Sequence, residues 1–461
     1  MRRTTPRLSI VPAAFRRQQP DGPPPPIGGL GDVDRVSTFE ALGDPRYRLL
    51  WLGSLFSFLG VQIQIIARGW LAYSLTGSNK GLGAVYLGFG VPMLLLTLWG
   101  GVAADRLPKR RVLVGAQFLL VVSAGGIATA IATGAIRYWM LIVSAMIQGI
   151  GFSFIGPVRM AFTGELVGRR ALPNAIVLQQ MSMNATRIFG PSVAGVLIGV
   201  AAFGIGGVYW LTAGILVAAM LVTLRLPFGA PAKGRPERSP LGELRDGVSY
   251  VRHSPLLLLL VLTSMAVVMT AFPYIAFLPA LAEEVFGVGP GGYGLMSGAS
   301  AVGALIASLF IASRASGDRA WRLQVIAGLG FGLGVVGLSI SPSFGIALVV
   351  IVLTGAATSA FQGLNNSLVL GNTDLAYHGR VQSLLMLAFS GFGMAALPLG
   401  ALADAIGLRQ TLGIMGLLAA GAVVVYAIVR RRVLRADPGA HARLTEVASG
   451  GSAPPEITGA E

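Results

Sequence analysis

Long apolar runs with few charges recur along almost the whole chain and constrain its fold more than any other feature. The 461 residues are 54% hydrophobic and only 12% charged. A helix needs roughly 20 apolar residues to cross a hydrocarbon core, and twelve stretches meet that length. They cover residues 49–73, 81–104, 112–136, 138–163, 174–200, 206–224, 256–282, 290–313, 322–341, 343–367, 381–403 and 410–430. The pattern predicts an all-α polytopic membrane protein with twelve transmembrane helices.

Basic residues gather in the loops on one side of these runs. Short cytoplasmic loops of membrane proteins carry an excess of Lys and Arg, so the bias predicts that both termini are cytoplasmic. It also accounts for the net charge of +16 without a nucleic-acid partner. On one side lie Arg106, Lys109, Arg110, Arg111, Arg169, Arg170, Arg225, Lys233, Arg235, Arg238, Arg245, Arg252, Arg314, Arg319, Arg322 and Arg380, and on the other only Lys80, Arg137 and Arg409.

The apolar signal stops once in the middle of the chain, where proline and charge become frequent. This break predicts an N-terminal six-helix bundle over residues 46–226, a cytosolic linker with an amphipathic helix over 227–255, and a C-terminal six-helix bundle over 256–432. Residues 1–45 and 433–461 are predicted to be disordered cytosolic segments. A weak internal repeat, in which the region from Gly149 to Gly195 corresponds to the region from Gly355 to Gly400, supports two pseudo-symmetric bundles.

The loop between the second and third runs contains a carboxylate and a cluster of cations. Gly101, Asp105, Arg106, Arg110 and Arg111 match the spacing of the loop that joins helices 2 and 3 in major facilitator superfamily transporters, which this chain resembles. Pro108 stands where that family usually has Gly. The resemblance implies a cytosolic latch, in which Asp105 meets a helix N-terminus or a cation in the outward-facing state. An ordinary positive-inside loop is the alternative.

Further stretches are similar to one bacterial branch of the superfamily, the enterobactin-exporter-like and macrolide-efflux-like transporters. They include Trp70–Ser78, Leu172–Ala175, Glu243–Arg252 and Gly379–Ser383, and with the Asp105 loop the resemblance covers about residues 38–432. It implies a monomeric, multi-pass protein of the bacterial inner membrane that exports a small amphipathic molecule, such as a drug or siderophore, by proton-coupled alternating access. The alternatives are an importer or lipid-handling transporter of the same fold, or a membrane receptor or scaffold that transports nothing.

The fifth run carries Gly190, Pro191 and Gly195, which resemble the Gly-Pro-x-x-Gly-Gly element of the superfamily's efflux antiporters. Proline frees a backbone carbonyl and glycine permits close helix contact, so the element is expected to bend at a gated interface. Met181 and Ala194 depart from that element. A role in packing alone is the alternative interpretation.

Arg187 lies in the same run, about thirteen residues or roughly 20 Å from the cytosolic end. An ion at that depth should face water or a partner, so Arg187 is predicted to line the central cavity and hold an anionic or electron-rich group. Bonding to helix-end carbonyls is the alternative. Arg68 and Arg159 lie nearer to the ends of their runs and are expected to be snorkelling anchors.

Polar amides and large apolar side chains complete the predicted substrate cavity. Amides in lipid need partners, whereas aromatic and methionine side chains make adaptable apolar walls. The predicted wall consists of Gln62, Gln148, Asn184, Phe272, Tyr274, Phe361, Gln362, Asn365, Met386 and Phe389, with Arg187.

Several absences limit the mechanism. No Asp, Glu or His lies at mid-depth in a run, and Ala145 occupies the position of an arginine that the superfamily's helix 4 motif carries before Gln148-Gly149. Proton coupling is therefore implied by the resemblance without an evident titrating residue. The chain has no cysteine and no phosphate-binding Gly-Lys-Ser/Thr loop. It is predicted to be no enzyme, with no catalytic residues, no cofactor and no metal site.

Overall fold

The computed structural model describes residues 40–200, 203–229, 240–312, 317–374 and 377–436, which are helical almost throughout. A short 3₁₀ turn, Glu40–Gly43, precedes α1. The α-helices that follow are α1 Pro45–Thr76, α2 Asn79–Arg106, α3 Lys109–Ala132, α4 Tyr138–Gly199, α5 Gly204–Leu224, α6 Pro240–His253, α7 Pro255–Thr270, α8 Tyr274–Ala280, α9 Gly289–Ala312, α10 Gly317–Ile340, α11 Phe344–Gly371, α12 His378–Ile406 and α13 Leu408–Ala436.

The helices run between two ends of the molecule. We call the end where α2 stops and α3 begins the basic end, and the end where α1 stops and α2 begins the distal end. The first half of the fold consists of α1 to α5, and the second half consists of α7 to α13.

Helix α4 is a bent pair of helices with its bend at the basic end. Gly168 has φ 69° and ψ 179°, a conformation that residues with a side chain rarely adopt. The first limb, α4a, covers Tyr138–Gly168, and the second limb, α4b, covers residues 169–199. Eleven described segments are long and apolar enough to cross a membrane, and α4b is the predicted run that is not among them. Its amides and Arg187 make it less apolar, although its 31 residues span about 46 Å.

Glycines at the crossing of α2 and α4a hold the first half together. A Cβ atom built on Gly100 would lie 1.9 Å from the Ser153 carbonyl oxygen, and one on Gly149 would lie 2.3 Å from the Phe89 carbonyl oxygen. Real Cβ atoms are never this close to an oxygen, so glycine is required on both helices. In lipid, where apolar surfaces gain little by meeting, such close backbone contact is a main source of helix association.

The second half repeats this crossing between α9 and α11. A Cβ on Gly303 would lie 1.9 Å from the Val352 carbonyl oxygen, and one on Gly355 would lie 2.1 Å from the Ser300 carbonyl oxygen. Gly149 and Gly355, which the internal repeat aligned, thus make equivalent contacts in the two halves.

The helix α6 lies in the segment where the sequence predicted an amphipathic linker helix. It packs on the second half, where Tyr250 stacks on Tyr377 with ring centroids 4.2 Å apart and Asp246 lies 3.9 Å from Arg380. Most of the two predicted terminal segments, residues 1–39 and 437–461, lies outside the described residues, as does the part of the linker from 230 to 239.

Substituting Gly303 with Ala tests the close-packed crossing. The added methyl group would collide with the α11 backbone, and overpacking of this kind costs about 1–3 kcal/mol. We expect a lower unfolding temperature for purified Gly303→Ala protein in detergent. Gly126→Ala is the matched control because a Cβ there meets nothing within 4 Å. Equal stability of the two variants would contradict the packing assignment.

Candidate transport site

The two halves meet closely in the distal part of the molecule. A Cβ on Gly195 of α4b would lie 2.1 Å from Gly294 Cα of α9, and one on Gly83 of α2 would lie 2.3 Å from the Ala396 carbonyl oxygen of α12. Gly90 and Gly393 make a second contact between α2 and α12. Backbones at this separation leave no passage between them, so these contacts form a seal.

A carboxylate reinforces the seal at the distal end. Asp404, near the end of α12, accepts hydrogen bonds from the Ser78 hydroxyl at 2.6 Å and from the backbone N–H groups of Asn79 and Lys80 at 2.7 and 3.0 Å. It therefore caps the N-terminus of α2 in the other half, where the helix dipole favours negative charge. Sequence reasoning gave Asp404 no role, because nothing in the sequence pairs α12 with the start of α2.

The same helix faces are exposed toward the basic end. Val177 precedes Gly195 by 18 residues, or about five turns, so both lie on one face of α4b. Yet Val177 is 54% exposed, whereas Gly195 is buried. On α9, Leu305 follows Gly294 by about three turns and is 42% exposed. The halves thus diverge below the seal, and a cleft between them opens at the basic end.

Arg187 lies on the part of α4b that borders this cleft. Gly190, three residues later, contacts Gln62 of α1, with a built Cβ 2.5 Å from the Gln62 Cβ, and Gly195 faces α9. At 100° per residue, Arg187 lies between these two directions, and it is exposed. The cavity role of Arg187 stays a prediction.

Several residues predicted to line the cavity are instead buried in helix packing in this conformation. Gln148 is bound to Arg68, and Asn365 accepts a hydrogen bond from Gln324 Nε2 at 2.9 Å. The rings of Phe272 and Tyr274 pack edge-on against a common phenylalanine of α10. Those buried are Gln148, Phe272, Tyr274, Phe361 and Asn365; Gln62 and Gln362 are half-buried, and the side chains of Asn184, Met386 and Phe389 lie outside the described part.

The cations of the predicted latch loop contact their own half of the molecule. The Arg110 guanidinium donates to the Leu226 carbonyl oxygen at 3.0 Å and stacks 4.2 Å from the centre of the Phe228 ring. Arg111 lies 5.6 Å from the same ring. These two residues hold the chain after α5, so their position has a structural explanation. A latch through Asp105, which is half-buried beside exposed Arg106, stays a prediction.

The expectation that Arg68 is a snorkelling anchor is wrong. Helix α1 continues to Thr76, and the Arg68 side chain turns into the first half, where it is 3% exposed and donates a hydrogen bond to Gln148. Arg68 therefore supplies a cation next to Gln148 from α1, whereas the superfamily motif carries its arginine on helix 4, where this chain has Ala145. The sequence did contain a signal for this contact. Gln64 and Arg68 lie four residues apart on α1, as do Ser144 and Gln148 on α4a, so each pair shares one helix face and the two faces can meet.

Arg159 also turns inward rather than toward the membrane surface. Its guanidinium lies 4.1 Å from the centre of the Phe58 ring of α1, in a cation–π contact. The Arg159 Nη1 atom is buried and the guanidinium packs on this ring, so the snorkelling prediction is wrong for this residue too.

Known proteins similar to this chain are transporters. Over 386 residues it is 24% identical to the staphyloferrin A transporter of Staphylococcus aureus, an alignment that covers 82% of this chain and 95% of the relative. It is 26% identical to the multidrug efflux pump Tap of Mycolicibacterium fortuitum, with 82% and 94% covered. It is 25% identical to the enterobactin exporter EntS of Escherichia coli O127:H6, with 86% and 94% covered.

A solved structure shares the fold. The bacterial homologue of the human lysosomal transporter Spinster, in an inward-facing and unoccupied conformation, superposes with a TM-score of 0.68 at 14% identity and covers 87% of this chain and 97% of its own. The sequence model of a transporter family described as transmembrane secretion effectors matches residues 36–448, nearly the whole chain. The protein therefore belongs to the major facilitator superfamily, within its transmembrane secretion effector family, and is a transporter rather than an enzyme.

Proposed function

We propose that this transporter exports a small amphipathic molecule across the bacterial inner membrane by alternating access, with the basic end in the cytoplasm. The proposal rests on a difference in exposure along α4b and α9. On each helix, the face that is sealed by glycine contacts in its distal part is exposed in its basic part. This contrast supports a conformation that is open to the cytoplasm and ready to take up cargo there.

The lining of the cleft supports an amphipathic cargo. Val177, Met181 and Leu305 are exposed apolar side chains on the diverging faces, and Arg187 adds a cation beside them. Ligand sites usually combine an apolar wall with a few polar groups that orient the ligand. A molecule with an apolar body and an anionic or electron-rich group would satisfy both parts of this wall.

The relatives support export rather than import. One is named as an efflux pump and another as an exporter, although architecture alone does not determine direction. Proton coupling enters the proposal only through the family resemblance, because no Asp, Glu or His at mid-depth in the predicted runs identifies a titrating group.

Transport by purified protein in liposomes tests this function. Enterobactin, staphyloferrin A and a panel of amphipathic drugs would be screened for a rise in unfolding temperature, because a ligand of the native state stabilises it. Compounds that bind would then be assayed for movement with and without an imposed pH gradient. We expect pH-driven movement toward the distal side. Movement toward the basic side would identify an importer, and binding without movement would identify a receptor.

Substituting Gly195 with Leu tests the alternation of the seal. The bulky side chain cannot fit against Gly294, so the distal contact should open. The chain has no native cysteine, so a single introduced cysteine is the only group that a maleimide can label. Ile198 is buried beside the seal at 8% exposure, so Ile198→Cys would become accessible when the seal opens. We expect faster labelling of this cysteine by a membrane-impermeant maleimide in Gly195→Leu. Val196→Leu, a neighbouring substitution at a 62% exposed position, should leave labelling slow, and equal rates would refute the seal.

Substituting Arg187 with Ala should weaken cargo binding. Loss of a hydrogen bond to a charged group costs about 1.5–3 kcal/mol, or roughly 10- to 150-fold in affinity. The measurement is the dissociation constant of whichever compound the thermal screen identifies, with Arg187→Lys as the variant that keeps the charge. If Arg187→Ala misfolds, and its folded fraction binds the compound with wild-type affinity, Arg187 stabilises the fold and does not bind cargo.

Substituting Asp105 with Asn should slow transport while membrane insertion stays normal. The uncharged amide keeps the shape of the side chain but loses the charge that the latch requires in the outward-facing state, so we expect turnover to fall about tenfold. Asp105→Glu, which retains the charge, should keep part of the activity. The latch would be excluded by wild-type turnover in Asp105→Asn.

A further inference from the structure

Arg68 is a cation buried inside the distal part of the first half. It lies eight residues, or about 12 Å, before the end of α1, and it is 3% exposed. Its Nη2 atom donates to the Gln148 side-chain oxygen. Within the described part of the chain, its Nη1 atom has no hydrogen-bond partner.

The groups around Arg68 are neutral and can donate hydrogen bonds. Within the described residues, the titratable groups that act on its charge are the phenols of Tyr86, Tyr209 and Tyr293, and no carboxylate is among them. The hydroxyl groups of Tyr86 and Tyr209 are buried and likewise lack a partner in the described structure, as does Gln148 Nε2. These residues come from α1, α2, α4a and α5, so four helices of the first half bring unused donors to one place.

A guanidinium group cannot lose its proton in a protein, and an isolated buried charge is strongly destabilising unless it is paired. Phenol groups do not neutralise it. One Arg68 nitrogen, two hydroxyl groups and one amide N–H group can therefore all donate to a single acceptor, and a negatively charged acceptor would also balance the charge.

We propose that the cluster formed by Arg68, Tyr86, Gln148 and Tyr209 is an anion-binding site. Because the surrounding helices pack tightly, the expected occupant is a small monovalent anionic group. It is either a free halide such as chloride or the carboxylate group of a larger molecule. Its donors are the Arg68 guanidinium, the two phenols and the Gln148 amide. This site is separate from Arg187, which borders the open cleft.

The second half covers this site through Tyr293. The hydroxyl of Tyr293, on α9, would lie 3.1 Å from a Cβ built on Gly69, the residue after Arg68. Tyr293 also stacks on Trp70 with ring centroids 6.4 Å apart. An anion bound to Arg68 would therefore be enclosed while the distal seal is closed, and exposed to the distal side when α9 moves away.

Thermal unfolding of the purified full-length protein in different sodium salts tests the site. Chloride, acetate and isethionate would be titrated separately at constant ionic strength, with isethionate as the larger anion that has no carboxylate. We expect a saturable rise in unfolding temperature with chloride or acetate and not with isethionate, because a native-state ligand stabilises the fold. A rise with chloride alone identifies an inorganic anion as occupant, and a rise with acetate alone identifies a carboxylate group. Equal unfolding temperatures in all three salts would overturn the proposal.

Variants assign the effect to Arg68. In Arg68→Gln the concentration for half-saturation should increase by about tenfold or more. Arg159→Gln removes a second inward-facing arginine of the same half and should keep the wild-type response, whereas an equal loss in both variants would show a general effect of charge. If Arg68→Gln does not fold, the variants Tyr86→Phe and Tyr209→Phe test the site instead. Each removes only one hydroxyl group, and each should weaken the response to chloride or acetate. A wild-type response in both would overturn the site.

Because this readout is salt binding and not transport, it separates the anion site from the proposed export function. A protein that moves no cargo would still show the chloride or acetate response, and an exporter without the anion site would not.

Discussion

Close contact between helix backbones at glycine is the constraint on which the rest of this structure depends. Apolar helix surfaces gain little by meeting in lipid, so van der Waals contact must hold the helices together. The crossings at Gly100 and Gly149 and at Gly303 and Gly355 fix each half as a rigid unit. The crossing at Gly195 joins the two halves by similar close contacts in their distal part.

Buried charge imposes the second constraint. Arg68 and Arg159 both lie inside the first half, where a cation needs a partner, and each finds a different one: an amide for Arg68 and an aromatic ring for Arg159. Arg187 is instead exposed, on the part of α4b that borders the cleft. Arginines of this half are thus packed or exposed, depending on which helix face carries them.

The sequence predicted the fold class, the superfamily and eleven of the twelve apolar spans, because hydropathy over about twenty residues and loop charge are local properties. It did not predict which side of a helix faces its neighbours. For that reason Arg68 was expected at the membrane surface, and Phe361 and Tyr274 in the cavity wall, although both are about 1% exposed. Asp404 was missed because its partners at Ser78 to Lys80 are more than 300 residues away, and only the folded arrangement of α2 and α12 joins them.

Distances measured at both ends of the molecule at once test the central claim most directly. Spin labels on cysteines at Thr133 and Ser343 would report the distal end, and labels at Arg225 and Gly371 would report the basic end, since all four positions are exposed. The account predicts two populations in lipid nanodiscs. One has a short distance between the distal labels and a long distance between the basic labels, and the other has the reverse. Addition of cargo should change the proportion of the two populations. One fixed distance at each end, unchanged by any compound that binds, would contradict it.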